Sequence, residues 1–137
     1  MKIVIDTNVF ISSFFFKGNP RKVFDRVINR LDNLYISDYI LQEIMNIMSG
    51  KFYTEKHIVD DYIKIIKNFS IKIFHNDLIE NVCRDVNDNE ILKCGLEGEV
   101  DFIITGDNDL LVLKEYKNIK IVKVKDYLDF VNDFITK

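Results

Sequence analysis

Little punctuates this chain of 137 residues: one proline, five glycines, two cysteines, no tryptophan and no alanine. So sparse a supply of Gly and Pro leaves no linker, internal repeat or low-complexity segment to divide the chain. Cys83 and Cys94 stand eleven apart with no paired Cys or His ligands beside them, which excludes a disulfide scaffold and a thiolate zinc site. The glycines, at positions 18, 50, 95, 98 and 106, form neither GxGxxG nor a Walker A run, which excludes the usual nucleotide cradles. The longest apolar run, Val9 to Phe16, is broken by Ser12 and Ser13 and falls short of the roughly 20 residues a membrane helix needs. Positive charge is not in excess either: 19 Lys and Arg face 22 Asp and Glu, for a net charge of -3 and a pI near 5.4. Gripping DNA by whole-surface charge is therefore disfavoured. Met1 and Lys2 lead straight into strand-like Ile3 to Ile5 without the pattern of a secretory signal, so a cytoplasmic protein with reduced thiols and no membrane partner is expected. The missing alanines, beside abundant Ile, Asn and Lys, fit nucleotide bias in a genome and say nothing of function.

What is present is core. At 47% hydrophobic residues, with 11 Phe and 6 Tyr, the chain can bury about two-thirds of its unfolded surface as one domain over residues 1–137. Residues 2–5 read as a strand buried on both faces and closed by Asp6. From Pro20, with Asn19 as N-cap, Val23, Phe24, Val27, Ile28 and Leu31 recur at helical spacing. Leu34 to Ile36 reads as a strand, and Ser37 or Asp38 caps a helix that ends near Gly50. A helix over 54–68 turns Ile58, Val59, Tyr62, Ile63, Ile65 and Ile66 inward, and residues 70–74 alternate like a strand. His75 to Asn87 reads as a structured loop that must bury Leu78, Ile79 and Val82. A helix from about Asp88 to Gly98, a strand over 101–105, a strand over 119–124 and a closing helix over 125–135 complete the chain. Strands alternating with helices predict an α/β fold with a parallel sheet of about five strands between helical layers.

In such sheets ligands bind beyond the carboxyl ends of the strands, near the point where strand order reverses. The first strand ends in Asp6-Thr7-Asn8, and the apolar strand after Asp101 ends in the run TGDND, which brings Asp107 and Asp109 to the same rim. Asp85 and Asp88 bracket the entry to the preceding helix, and Glu43 falls at the border of an apolar helical face. Each acid alone also fits a structural role: Asp88 as a helix cap, the TGDND run as a turn, Glu43 as a solvated helix acid. Together they repel, and a divalent cation is what offsets the repulsion. Oxygen ligands without His or Cys suit Mg2+ or Mn2+. Such an ion acidifies a bound water and screens a phosphodiester under attack.

The segments KIVIDTNVFISS, LQEI, RDVNDNEIL and DFIITGDNDLL resemble, in order and across the whole chain, the acidic motifs of PIN domains. Within that family the chain is most similar to the VapC-related group of toxins of type II toxin–antitoxin pairs. The resemblance implies a Mg- or Mn-dependent endoribonuclease that leaves 5′-phosphate and 3′-hydroxyl ends. It carries Asp6, Glu43, Asp88 and Asp107 over as the four catalytic and metal-binding acids, Asp109 as an additional metal ligand, and Asn8 and Thr105 as supporting polar residues. Asp85 remains a rival to Asp88. Two departures stand out: Val86 occupies a place where the motif often has proline, and Cys94 and Gly95 replace alanines. The resemblance also implies a homodimer and an antitoxin partner, although relatives that process RNA without an antitoxin share the motifs.

Lys22, Arg26 and Arg30, spaced i, i+4, i+8, make a cationic stripe that could meet the phosphate backbone of RNA. Lys114, Lys117, Lys120, Lys123 and Lys125 share no single face and are read as surface. Phe14-Phe15-Phe16 is too apolar to lie wholly in solvent, and is assigned to core before an interface. His57 and His75 are read as peripheral. Two rival readings stay open: a non-catalytic RNA- or protein-binding module, and a phospho-receiver switch using Asp77, Thr105 and Lys125. The second is the poorer fit, since only Asp6 follows the first strand where a receiver wants adjacent acids.

Overall fold

The computed structural model describes residues 1–74 and 83–136; Asp77, His75 and the apolar Leu78, Ile79 and Val82 lie outside that range. Its element order is β1 (Lys2–Ile5), α1 (Thr7–Phe15), α2 (Asn19–Ile28), β2 (Asn33–Ile36), α3 (Asp38–Gly50), α4 (Lys56–Asn68), β3 (Ser70–Lys72), α5 (Val86–Gly98), β4 (Phe102–Ile104), α6 (Asn108–Leu111), β5 (Glu115–Tyr116), β6 (Ile119–Val122) and α7 (Val124–Thr136). The strands form one sheet of order β3-β2-β1-β4-β6-β5, parallel except for β5. The α/β architecture expected from the sequence is thus present, with six strands among the described residues rather than about five. The extra strand pairs only Glu115 with Lys120 and Tyr116 with Ile119. Its two-residue turn, Lys117-Asn118, has φ of 46° and 71°. That is a hairpin turn of type I′ geometry made without the glycine that would have advertised it.

β1 lies at the centre, and Ile3, Val4 and Ile5 are all buried because both of its faces are covered. The β1-to-β2 and β2-to-β3 crossovers run one way along the sheet and β3-to-β4 the other. Right-handed connections therefore place α5 on the face opposite α1–α4. α5 packs against β1, β2 and β4 at close range. A Cβ on Gly98 would come within 2.9 Å of Tyr35 Cδ1, and one on Gly95 within 3.0 Å of Ile103 Cδ1. This close approach accounts for the glycine at position 95. Val86, the other departure, is the first residue of α5 and is exposed, so any residue with helical φ serves there as proline would.

Three local expectations need correction. α1 was not foreseen: Thr7, Val9, Phe10, Ile11 and Ser13 are all buried, so its apolar residues show no one-sided period. Ser13 is accommodated by donating to the Phe10 carbonyl at 2.7 Å and sharing a 3.0 Å bond with the Tyr62 hydroxyl. In α4, Val59, Tyr62, Ile63 and Ile66 point inward, but Ile58 and Ile65 are exposed, because one 3.6-residue stripe holds only part of so many isoleucines. Asn19 is inside α2 and Gly18 is its N-cap. Ser37 caps α3 as expected, accepting from the Ile40 N–H. Of the aromatic run, Phe14 packs edge-on against Tyr62 and Phe15 stacks on Phe52, whereas Phe16 is exposed.

Candidate active site

Strand order reverses between β1 and β4, and both strands end in acids there. Ile5 pairs with Ile104, and the Asp6 N–H continues the ladder to the Ile104 carbonyl at 2.9 Å. Asp6 and Thr105 therefore leave the sheet side by side. The buried Thr105 hydroxyl donates to Asp6 Oδ2 at 2.6 Å and accepts from the Asp107 N–H at 3.0 Å, so one side chain sets both acids. Asp107 in turn caps α6, its Oδ1 accepting from the Asp109 N–H at 2.8 Å. Asp6 is likewise an N-cap, of α1, but with its backbone carbonyl, which accepts from the Val9 and Phe10 N–H groups.

Asp88 arrives from the opposite face on the first turn of α5. It is only 3% exposed, yet among the described residues its Oδ2 has no hydrogen-bond partner, an expensive arrangement for a carboxylate. Carboxylate oxygens of Asp88, Asp107 and Asp109 lie within 4.8 Å of one another. The turn that presents Asp88 is fixed at several points. Asp85 Oδ1 accepts from the Asn87 N–H at 2.9 Å, and the Tyr39 hydroxyl donates to Asn87 Oδ1. The Asn89 amide clamps Cys83 through both its N–H, at 2.8 Å, and its carbonyl, at 2.9 Å. Nothing in the sequence pattern singled out Tyr39, Asn87 or Asn89, because each acts through a side-chain contact that only the folded loop brings about. Glu43 sits half-buried on α3. The exposed Arg84 approaches Asp109 Oδ1 at 3.7 Å.

The proton affinities record this crowding. Asp88 is pushed up to about 7, by burial first and then by Asp107, Asp85, Asp6 and Asp109. Burial also raises Asp6, against the lowering effect of the Thr105 and Thr7 hydrogen bonds, with Asp107 and Asp85 adding repulsion. Glu43 is raised by burial, then by Asp85 and Asp6. Asp6, Glu43, Asp88, Asp107 and Asp109 thus converge on one rim. Asp85 joins them electrostatically while capping α5, so the sequence alternative between Asp85 and Asp88 becomes a division of labour: a cap on the outside and a buried carboxylate within.

The remaining candidates separate. Asn8 is exposed on α1 and lines a groove beside Thr105 and Gly106. The Lys22, Arg26, Arg30 stripe does not form. Arg26 grips Asp32 through Nε at 2.8 Å and Nη2 at 3.2 Å. α2 stops at Ile28, and Arg30, at φ 59°, lies over the Phe69 ring. The five-lysine group also divides, with Lys117 at the β5–β6 turn and Lys123 and Lys125 at the acid-bearing end of the sheet. His57 is exposed beside Glu55, and both cysteines are free.

Compared with known proteins, residues 2–109 match the family described as the PIN domain. The chain belongs to the PIN-domain family. The PIN domain is a nuclease fold, dependent on divalent metal, and the acid-lined rim described above sits within the matched residues. The uncharacterized protein MJ1680 of Methanocaldococcus jannaschii is 36% identical over 143 residues, covering 98% of this chain and 92% of that protein. Among the described residues no helix of this PIN domain is long and apolar enough to cross a membrane.

Proposed function

We propose that this PIN protein is a Mg2+- or Mn2+-dependent endoribonuclease. The observation that carries the reading is the buried Asp88 carboxylate at the switch point of the sheet: its Oδ2 has no hydrogen-bond partner among the described residues, and the group lies within 4.8 Å of carboxylate oxygens of Asp107 and Asp109. The fold tolerates such an atom when a cation is to sit beside it. An all-oxygen donor set with no His or Cys fits a hard divalent ion. Asp6, Asp88, Asp107 and Asp109 would hold it, with Glu43 at the margin of the cluster. The ion supplies positive charge that acidifies a water and screens the scissile phosphate.

The side chains then have separable tasks. Thr105 fixes the rotamer of Asp6 and the backbone entering Asp107. Glu43, raised by burial, is suited to orient the attacking water and accept its proton, since a carboxylate of raised pKa is the better base near neutrality. Water attacks phosphorus as Glu43 takes its proton, the bond to the 3′ oxygen breaks and that oxygen takes a proton from solvent, leaving a 5′-phosphate on one fragment and a 3′-hydroxyl on the other. Asn8, at the rim, is placed to contact the strand as it leaves.

The resemblance to the VapC-related group supports assignment as the toxin of a type II pair in the cytoplasm, acting as a homodimer held by an antitoxin. Residues 1–137 are taken as one PIN domain, since α7 packs on α2 beyond the matched segment. The test is cleavage of a mixed structured RNA with Mg2+ or Mn2+, with EDTA, and with Asp6→Asn. Cleavage that needs the metal and disappears in the variant is the expected outcome. RNA that binds but is never cut would replace the enzyme with a binding module. Co-purification with a small protein encoded beside it, and mass in solution, test the antitoxin and the dimer.

A further inference from the structure

Two neighbouring grooves share walls, and the first of them begins beside the acid cluster. The first, about 430 Å³, begins at Thr105 and Gly106 and runs between Asn8 and Ser12 of α1, Asn108, and the β6–α7 junction at Lys123, Val124 and Lys125. The second, about 320 Å³, shares Asn19 and Lys125 with it and continues past Lys22 toward Leu128. Shared walls make one channel of them, leading from the acids across α2 and α7. Its lining includes the apolar Val9, Pro20 and Leu128 together with several neutral amides and hydroxyls. Three exposed lysines, Lys22, Lys123 and Lys125, flank it, and among the described residues none of the three is held in an ion pair. Arg26, also in the lining, is committed to Asp32, and among the described residues Asp129 is the one acid of the lining.

We infer that this channel is the track for single-stranded RNA, with Lys123, Lys125 and Lys22 taking successive backbone phosphates as the strand leaves the acid cluster. The inference rests on the ribonuclease reading and supplies what that reading lacks, a cationic path on a protein of net charge -3. The lysines come from α2, the end of β6 and the start of α7, so the path exists only in the folded chain. An acid cluster repels RNA, and cations set along one exit offset this locally without making the surface basic. The apolar part of the lining suits the faces of unpaired bases, which a duplex would not present.

The test is binding of a fluorescein-labelled 12-nucleotide single-stranded RNA by anisotropy, in EDTA so that no cleavage intervenes, across a salt series. Wild type is compared with Lys123→Glu/Lys125→Glu and with Lys117→Glu/Lys120→Glu, which makes the same charge change away from the channel. Loss of two phosphate contacts should shallow the slope of log affinity against log salt by about 1.4 and weaken low-salt binding at least about tenfold. The control pair should bind like wild type. Equal losses in both pairs would reduce the track to net charge and overturn it, as would unchanged binding in Lys123→Glu/Lys125→Glu. Failure of the ribonuclease reading looks different, because RNA would then bind with the lysine dependence intact and never be cut when metal is added.

Discussion

Asp32 and Asp88 are equally buried, each 3% exposed, and they stand at opposite ends of the sheet. Asp32 precedes β2, where the Arg26 guanidinium grips both its oxygens and the Met1 ammonium lies 3.4 Å from Oδ1. Asp88 follows the cap of α5 at the other end, among Asp6, Asp85, Asp107 and Asp109, with Oδ2 unpartnered among the described residues. The first acid is surrounded by what a buried carboxylate requires and the second by more of its own kind. Under the proposed function the contrast is between a charge retained for the fold and one retained for a ligand, and each can be disturbed without touching the other.

The largest stability effect is expected at Asp32. Asp32→Asn leaves Arg26 and the amino terminus facing a neutral amide, and breaking such a pair costs about 3 kcal/mol. Denaturant unfolding should show that loss, while RNA cleavage per folded molecule stays as in wild type. Asp88→Asn should do the reverse. Cleavage falls at least about a hundredfold as a ligand is lost, and metal-free stability holds or rises because a repelled charge is gone. If Asp88→Asn instead unfolds the protein as Asp32→Asn does, the distinction between the two acids collapses.

A smaller effect sharpens the comparison through pH. Asp88 titrates near 7 in the folded chain and in the ordinary carboxylate range when unfolded, so the native state holds its proton the more tightly. Its contribution to stability is full below about pH 4 and is lost as pH rises toward 7. Asp6 and Glu43 are shifted in the same direction. In EDTA the melting temperature of wild type, taken relative to Asp88→Asn, should therefore fall between pH 4 and pH 7. Mg2+ or Mn2+ above pH 7 should restore it, by about 2.7 kcal/mol at a hundred times the dissociation constant. A difference flat across that range, with or without metal, would mean that Asp88 is not the strained member of the cluster.

How much of this was legible in the sequence follows from the range of each interaction. β1, β2, β4 and α3 were readable because their signals are local: short β-branched runs closed by polar residues, and Ser37 before a 3.6-residue apolar period. That the candidate acids would come together was readable because strand ends in a parallel sheet converge. α1 was not, since a helix buried nearly all round loses its period, and β5 was not, since two residues carry no pattern. The basic stripe failed for a related reason. Spacing on a helix says which residues share a face, but not that Asp32 has taken Arg26 or that the helix stops at Ile28. The lysines that replace it in our reading lie a hundred positions from Lys22 and meet it only through the packing of α7 on α2.

The smallest expected effect falls on the residue that joins the two acidic strand ends. Thr105→Val keeps the volume of a fully buried side chain and removes its hydroxyl. Asp6 loses the hydrogen bond that opposes its desolvation, so its carboxyl rises further, and the Asp107 N–H loses its acceptor. The stability cost should be about 1 kcal/mol. Metal affinity should fall roughly tenfold, as for other residues that orient a ligand without touching the ion. Because a higher proton affinity at Asp6 postpones the ionised cluster, the pH at half-maximal cleavage should move upward, and excess metal should recover most of the rate at high pH. Thr105→Ser, which restores the donor, should return the pH profile to that of wild type. A profile that stays in place in Thr105→Val, with metal affinity unchanged, would make Thr105 an ordinary turn residue and leave Asp6 positioned by the start of α1 alone.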